Sequence, residues 1–89
     1  SIGRGLKLFP SPVERGTQLR LTMSDLTPGN YTLLLVNQQG QRVWHKQFNV
    51  QGSFINESVQ LPALLPFGIY RVVLANESSQ LAIQQLLVQ

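Results

Sequence analysis

The feature that most constrains the fold is an apolar residue at every second position, repeated along much of the chain. Leu19, Leu21 and Met23 alternate with Arg20 and Thr22. Successive side chains of a β-strand point to opposite faces, so this pattern predicts a strand with one buried face. A helix would need apolar residues three and four positions apart. The chain is therefore predicted to be built from strands.

Six further segments have strand character and are separated by turn signals such as Asn37-Gln38-Gln39-Gly40, whose glycine supplies a positive φ. These segments are Lys7 to Phe9, Tyr31 to Val36, Gln41 to Val50, Ile55 to Leu61, Ile69 to Ala75 and Gln80 to Gln89. The dense apolar run of Tyr31 to Val36 predicts a central strand. In the last segment a helix is the competing interpretation, but its Ile and Val residues favour a strand.

That last segment is predicted to have two apolar faces. Leu81, Ile83 and Leu87 would lie on one face, and Ala82, Leu86 and Val88 on the other. Pairing of the strand would be needed to bury Leu86 to Val88.

The connections also point to an all-β fold. Pro62 and Pro66 exclude a central strand between them and favour a packed corner, with Gly68 expected to approach that corner closely. Seven short strands with turns about every 8–12 residues are typical of a sandwich. We predict a single immunoglobulin-like antiparallel β-sandwich of about seven short strands.

The length of 89 residues allows one core. Residues 6–89 are assigned to that domain, and residues 1–5, with two glycines and no periodicity, to a linker remnant. Because the chain starts at Ser1 without a methionine, we expect it to be part of a larger protein.

Charge and composition argue against several classes of function. The net charge is +3, but the seven cations never form a run, so a phosphate-binding face is not indicated and we expect no nucleic-acid partner. There is no cysteine for a disulfide or a thiolate nucleophile. The longest apolar runs are far below the roughly 18 residues of a membrane span, and no secretory signal follows Ser1.

The residues that could carry catalysis are few and separated. The one histidine, His45, is predicted to be an exposed strand residue, and the four acids are spread over distant turns. No metal or cofactor site is indicated. Trp44 shares a face with Phe48 and Val50, so we expect it in the core rather than against a ligand. We therefore expect a non-enzyme.

Five short motifs occur in a specific order along the chain. They are Leu8-Phe9-Pro10-Ser11-Pro12-Val13; Gly29-Asn30-Tyr31; Asn37-Gln38-Gln39-Gly40-Gln41 with Val43; Leu61-Pro62 through Leu65-Pro66 to Gly68-Ile69-Tyr70-Arg71-Val72; and Leu86-Leu87-Val88-Gln89. Together they closely resemble the C-terminal sorting domain of the type IX (Por) secretion system, type A. Phe9 and Ser11 replace the usual tyrosine and asparagine, and Gln84 and Gln85 stand where lysines are common.

The resemblance covers about residues 6–89 and implies a function. A domain of this family is a folded secretion signal on a larger secreted protein of a Bacteroidetes-type bacterium. It passes through the periplasm, is recognised by the type IX outer-membrane translocon, and sends its cargo to the cell surface. A sortase-like peptidase commonly cuts in the preceding linker. The residues that would form the recognition and structural motif are Leu8, Phe9, Pro10, Pro12, Gly40, Pro66, Gly68, Ile69, Tyr70, Leu86, Leu87 and Val88.

A second interpretation belongs to another class. An immunoglobulin- or fibronectin-like accessory module would have the same strands and the same lack of reactive groups. It would act as a spacer or bind carbohydrate through an exposed Trp44 or Tyr31. Portability separates the two, because a sorting domain fused to a reporter would carry it to the cell surface.

Overall fold

The computed structural model describes residues 5–89, which form seven strands and no helix. The strands are β1 (Lys7–Phe9), β2 (Gln18–Met23), β3 (Gly29–Val36), β4 (Arg42–Val50), β5 (Ile55–Gln60), β6 (Gly68–Ala75) and β7 (Gln80–Val88). All seven predicted strands are present, and the last segment is a strand rather than a helix. The predicted all-β class is confirmed.

The strands form two antiparallel sheets that enclose one core. One sheet has the order β1-β2-β5 and the other the order β4-β3-β6-β7. Lettered as in immunoglobulin domains, these sheets are A-B-E and C′-C-F-G. Because β3 pairs with both β4 and β6, the prediction that Tyr31 to Val36 is central is confirmed.

Alternate residues of the strands make the core between the two sheets. In β2, Leu19 and Leu21 are almost fully buried while Arg20 is exposed, as the alternation predicts. Other large apolar side chains that are almost fully buried are Leu6, Val13, Leu33, Val59, Leu61, Val72, Leu74, Leu86 and Val88. Full burial of each such side chain stabilises the fold by about 1.5–3 kcal/mol, so the packing of aliphatic side chains is the main source of this domain's stability.

The chain changes sheets just after β1. Phe9 pairs with Arg20 in the three-stranded sheet, and the Phe9–Pro10 and Ser11–Pro12 peptide bonds that follow are cis. Val13 then pairs in parallel with Val88 of the other sheet. The first few residues of the domain therefore contact both sheets.

The directions of the strands define two ends of the sandwich. The last residues of β1, β3, β5 and β7 lie at the same end as the first residues of β2, β4 and β6. This end carries Pro10, Pro12, Pro62 and Pro66, so we call it the proline end and define it as residues 9–20, 36–42, 60–71 and 85–89. The opposite end carries the β2–β3, β4–β5 and β6–β7 connections.

The placement of Leu81 corrects a detail of the prediction for β7. Leu74 pairs with Ala82 and Ala75 pairs with Gln80, which leaves Leu81 in a bulge. Leu81 consequently packs against the core, although simple alternation places it on the outer face. Leu86 and Val88 are buried as expected, but Leu87 is 41% exposed.

The expectation that Gly68 closely approaches the proline corner is wrong. A side chain built at Gly68 would meet no atom within 4 Å, so the position is open. Its φ of +147° is nevertheless a conformation that other residues rarely adopt. Glycine is required there by the backbone and not by crowding.

Gly68→Val is therefore expected to lower the free energy of unfolding by about 1–3 kcal/mol, because valine would be forced into this conformation. Thermal unfolding of the purified domain measures the effect. Gly52→Val is the matched control, since Gly52 is equally open and its φ is outside the positive range. Equal melting temperatures for the two variants would show that the φ at Gly68 carries no strain.

Candidate recognition surface at the proline end

The motif residues are distant in sequence and, apart from Leu8 within β1, lie at the proline end. Gly68, Ile69 and Tyr70 pair with Val88, Leu87 and Leu86 of the neighbouring strand. Phe9, Pro10 and Pro12 lie where the chain leaves β1, and Gly40 closes the β3–β4 hairpin at the same end. The connectivity of the sandwich is what brings them together.

These residues divide into a buried and an exposed group. Tyr70, Leu86 and Val88 are buried, and Leu8 is partly buried against the core. The exposed members are Phe9, Pro10, Pro12, Gly40, Pro66, Ile69 and Leu87, and Gly68 is intermediate. Only the exposed group can meet another molecule, while the buried group holds it in place.

Backbone hydrogen bonds connect the first proline corner (residues 10–17) to β7. The amide of Val13 donates to the Leu87 carbonyl at 2.9 Å, and the amide of Gln89 donates to the Val13 carbonyl at 2.8 Å. The amide of Arg15 donates to the Gln89 carbonyl at 3.0 Å. This corner is therefore held by the end of β7.

The first corner also contacts the second proline corner (residues 62–67). The amide of Leu61 donates to the Thr17 carbonyl at 3.0 Å. A side chain built at Gly16 would lie 3.4 Å from the Cα of Ala63. The Arg15 guanidinium carbon lies 4.2 Å from the centre of the Phe67 ring, within the range of a cation–π contact. Both corners and the end of β7 thus form one connected surface.

Tyr70 anchors the second corner to β6. Its hydroxyl donates to the Pro66 carbonyl four residues earlier, at 2.6 Å. This is the tyrosine corner of immunoglobulin-like sandwiches. The Tyr31 hydroxyl makes the same four-residue contact with the Thr27 carbonyl at the opposite end. Burial raises the pKa of the Tyr70 phenol above its ordinary value.

Tyr70→Phe is expected to lower the free energy of unfolding at neutral pH by about 0.5–1.5 kcal/mol, the net value of one hydrogen bond. Because folding raises the pKa of Tyr70, its contribution is present below the ordinary tyrosine pKa of about 10 and is lost as the pH rises above it. The variant should therefore show a smaller alkaline loss of stability in denaturant titrations. Tyr31→Phe removes the equivalent contact and controls for the neutral-pH effect. A Tyr70→Phe domain as stable as the wild type at neutral pH would contradict the assignment.

Two apolar residues of this surface were missed by the sequence analysis. Leu64 is 90% exposed and Phe67 is 66% exposed, both in the second proline corner. Their neighbour Leu65 is buried, with 4% exposure. For Leu64 the available signal was its place in a short apolar run bracketed by two prolines, which cannot bury all its side chains; Phe67 lies beyond the second proline and carried no such signal.

The charged residues of the proline end are mostly arginines. Arg15, Arg42 and Arg71 are exposed there, and Arg20 lies directly opposite Phe9 in the neighbouring strand. Glu14 is the one acidic side chain of this end among residues 5–89. The remaining acids lie elsewhere, in the turns at Asp25 and Glu77 and within β5 at Glu57.

The residues considered for chemistry do not converge. His45 is exposed on β4, as predicted, and Trp44 is partly buried against the core. Within residues 5–89, no three His, Asp or Glu side chains are grouped as a metal site would require. In the same part of the chain, no helix could span a bilayer.

A scan against protein-family models finds no match, and a search of the curated proteins finds none either.

Proposed function

We propose that this domain is a secretion signal read in its folded form, a sorting domain of the type IX system. It directs a cargo protein through the outer membrane to the cell surface. The translocon recognises it as a partner, and a surface peptidase of the sortase-like class acts in the linker ahead of the fold. The domain itself performs no catalysis in this role.

The observation that carries the proposal is the convergence of the motif residues at one end of the sandwich. Stability alone would be served equally well by residues spread through the core. Seven of the twelve motif positions are instead exposed at the proline end. Exposed residues held in one place by a fold are typical of a surface that another molecule reads.

The rigidity of this end also supports a folded signal. A partner that recognises a shape gains affinity when the shape exists before binding, because less conformational entropy is then lost. The hydrogen bonds of Val13 and Arg15, the packing of Gly16 and the Tyr70 contact together hold this surface.

Of the two residues that would bind carbohydrate in the accessory-module interpretation, Trp44 and Tyr31, Tyr31 is not accessible to a ligand. Tyr31 is 2% exposed and has no free ring face to stack on a sugar. Trp44 packs against the core with its exposed part on the edge strand β4. No observation favours a sugar over a protein as the ligand.

A portability experiment tests the proposal. The chain is fused behind a reporter that carries its own N-terminal export signal, in a Bacteroidetes host with a type IX system. We expect the reporter at the cell surface, and in the periplasm of a strain without the translocon. A fusion with the domain removed is the second control. Retention of the intact fusion in the periplasm of the competent host would refute the proposal.

A further inference from the structure

We propose that the exposed part of the proline end docks onto a protein surface that offers an apolar depression bordered by carboxylates. This inference rests on the proposed function and names the surface and the chemistry of the partner that reads it. Three properties of this end carry the inference: its apolar exposure, its rigidity and its charge.

The apolar exposure of the domain is concentrated here. Seven large apolar side chains of residues 5–89 are substantially exposed. Five of them belong to the proline end: Phe9, Leu64, Phe67, Ile69 and Leu87. Isolated exposed apolar residues are ordinary, whereas adjoining ones mark an interaction site, and Ile69 and Leu87 adjoin as paired residues of β6 and β7. Phe54 is a comparable residue at the opposite end, where it stands apart from this group.

The most exposed residues are presented by a corner that is already ordered. Leu64 and Phe67 stand on either side of Leu65 and Pro66. The Leu65 side chain is buried, and the Pro66 carbonyl accepts a hydrogen bond from the Tyr70 hydroxyl. The Phe67 ring is positioned further by the guanidinium of Arg15. Little backbone entropy is therefore lost when this corner enters a pocket.

The charge of this end selects an acidic partner. Arg15, Arg42 and Arg71 are exposed at the same end as the apolar residues, Arg15 in contact with the Phe67 ring, and Glu14 is the one acid present within the described part of this end. Aromatic and arginine side chains are the types that dominate binding energy at protein interfaces. A partner with carboxylates around an apolar depression would complement both features.

The arrangement favours a protein over an anionic membrane surface. Membrane recognition by charge generally uses clusters of four to eight Lys or Arg residues. Here the two lysines, Lys7 and Lys46, lie outside the proline end, and its arginines are separated on different strands and corners. Spaced guanidinium groups suit individual carboxylates, to which arginine binds in a planar, two-pronged geometry.

The apolar part is tested with matched phenylalanine variants of the reporter fusion. Phe67→Ser is expected to lower surface-delivered reporter about tenfold or more, as for a residue central to an interface. Phe54→Ser removes a ring of similar exposure, 63% against 66%, from the opposite end and should leave delivery within about twofold. Leu64→Glu, at a site 90% exposed, is a second variant that does not depend on the Arg15 contact. Melting of each purified variant establishes that it is folded.

The charged part is tested with two double variants that change the net charge equally. Arg42→Glu with Arg71→Glu should reduce surface delivery about tenfold or more, because it places acids against an acidic partner. Lys7→Glu with Lys46→Glu should change it by no more than about twofold. Equal loss in the two pairs would mean that net charge, and not this end, is what matters.

The outcomes separate the two proposals. A wild-type fusion held in the periplasm overturns the proposed function and this inference with it. A wild-type fusion that is delivered, with folded Phe67→Ser, Leu64→Glu and double-arginine variants delivered equally well, overturns the inference alone. Sedimentation of the purified domain with phosphatidylglycerol vesicles tests the lipid alternative. If the domain binds the vesicles and Phe67→Ser abolishes that binding, the proposal of a protein partner is overturned. If the domain does not bind the vesicles, the proposal of a protein partner is supported.

Discussion

Deletion of residues 84–89 is expected to abolish both the cooperative unfolding of the domain and the delivery of a fused reporter. This segment contains Leu86 and Val88, which are 0% and 1% exposed. It also pairs with the first half of β6, from Gly68 to Val72. Its loss therefore removes part of the core and leaves one side of a central element of the sheet unpaired.

The size of the effect follows from the burial. Leu86 and Val88 contribute about 1.5–3 kcal/mol each. Domains of this length are typically stable by about 4–13 kcal/mol in total. The deletion also removes the hydrogen bond from the Gln84 side chain to the Leu6 carbonyl and the bonds of Val13 and Arg15 to β7. Together with the lost backbone pairing of β6, these losses are comparable with the whole stability of such a domain, so we expect no folded state.

Differential scanning calorimetry or circular dichroism would measure the loss of the transition. Leu87→Ser is the matched control, because Leu87 is 41% exposed and projects away from the core. That variant should melt cooperatively near the wild-type temperature. A truncated domain that still unfolds in one sharp transition would contradict this account of β7.

Val13→Asp is expected to destabilise the domain strongly. Val13 is 1% exposed, its amide donates to the Leu87 carbonyl of β7, and its carbonyl accepts from the amide of Gln89 just beyond that strand. An aspartate there would bury a charge without a partner, which costs at least about 3 kcal/mol. For a domain of this size that lowers the melting temperature by more than about 12 °C.

Ser11→Asp introduces the same charge two residues earlier at an exposed position and should change the melting temperature little. Val13→Ile preserves the apolar character and is expected to fold. If the Val13→Asp and Ser11→Asp variants had the same melting temperature, the connection between the first proline corner and β7 would not contribute to the stability of the fold.

The strands could be predicted from sequence because they obey a local rule. Alternation at Leu19, Leu21 and Met23 reports which face of β2 is buried, whatever the strand pairs with. Leu81 marks the limit of that rule. A bulge depends on how two strands are paired, and alternation within one strand contains no information about its partner.

The candidate surface could be predicted only in part, for a related reason. The motifs named many of its residues, but not the division into buried Tyr70 and Leu86 and exposed Ile69 and Leu87. That division depends on which face of each strand meets the second sheet. The exposure of Leu64 and Phe67 depends on how the corner between the prolines is folded, which strand patterns do not describe.

The pairing of Val13 with Val88 has a consequence for how the polypeptide acquires its structure during synthesis. A ribosome releases residues in order, so the partner of Val13 emerges only when nearly the whole sandwich has been made. Contacts between such remote positions also make folding slow, on the order of milliseconds to seconds for all-β proteins. The first proline corner of the nascent chain therefore stays unpaired until residues 87–89 have been made, and completing the sandwich requires translation through Gln89.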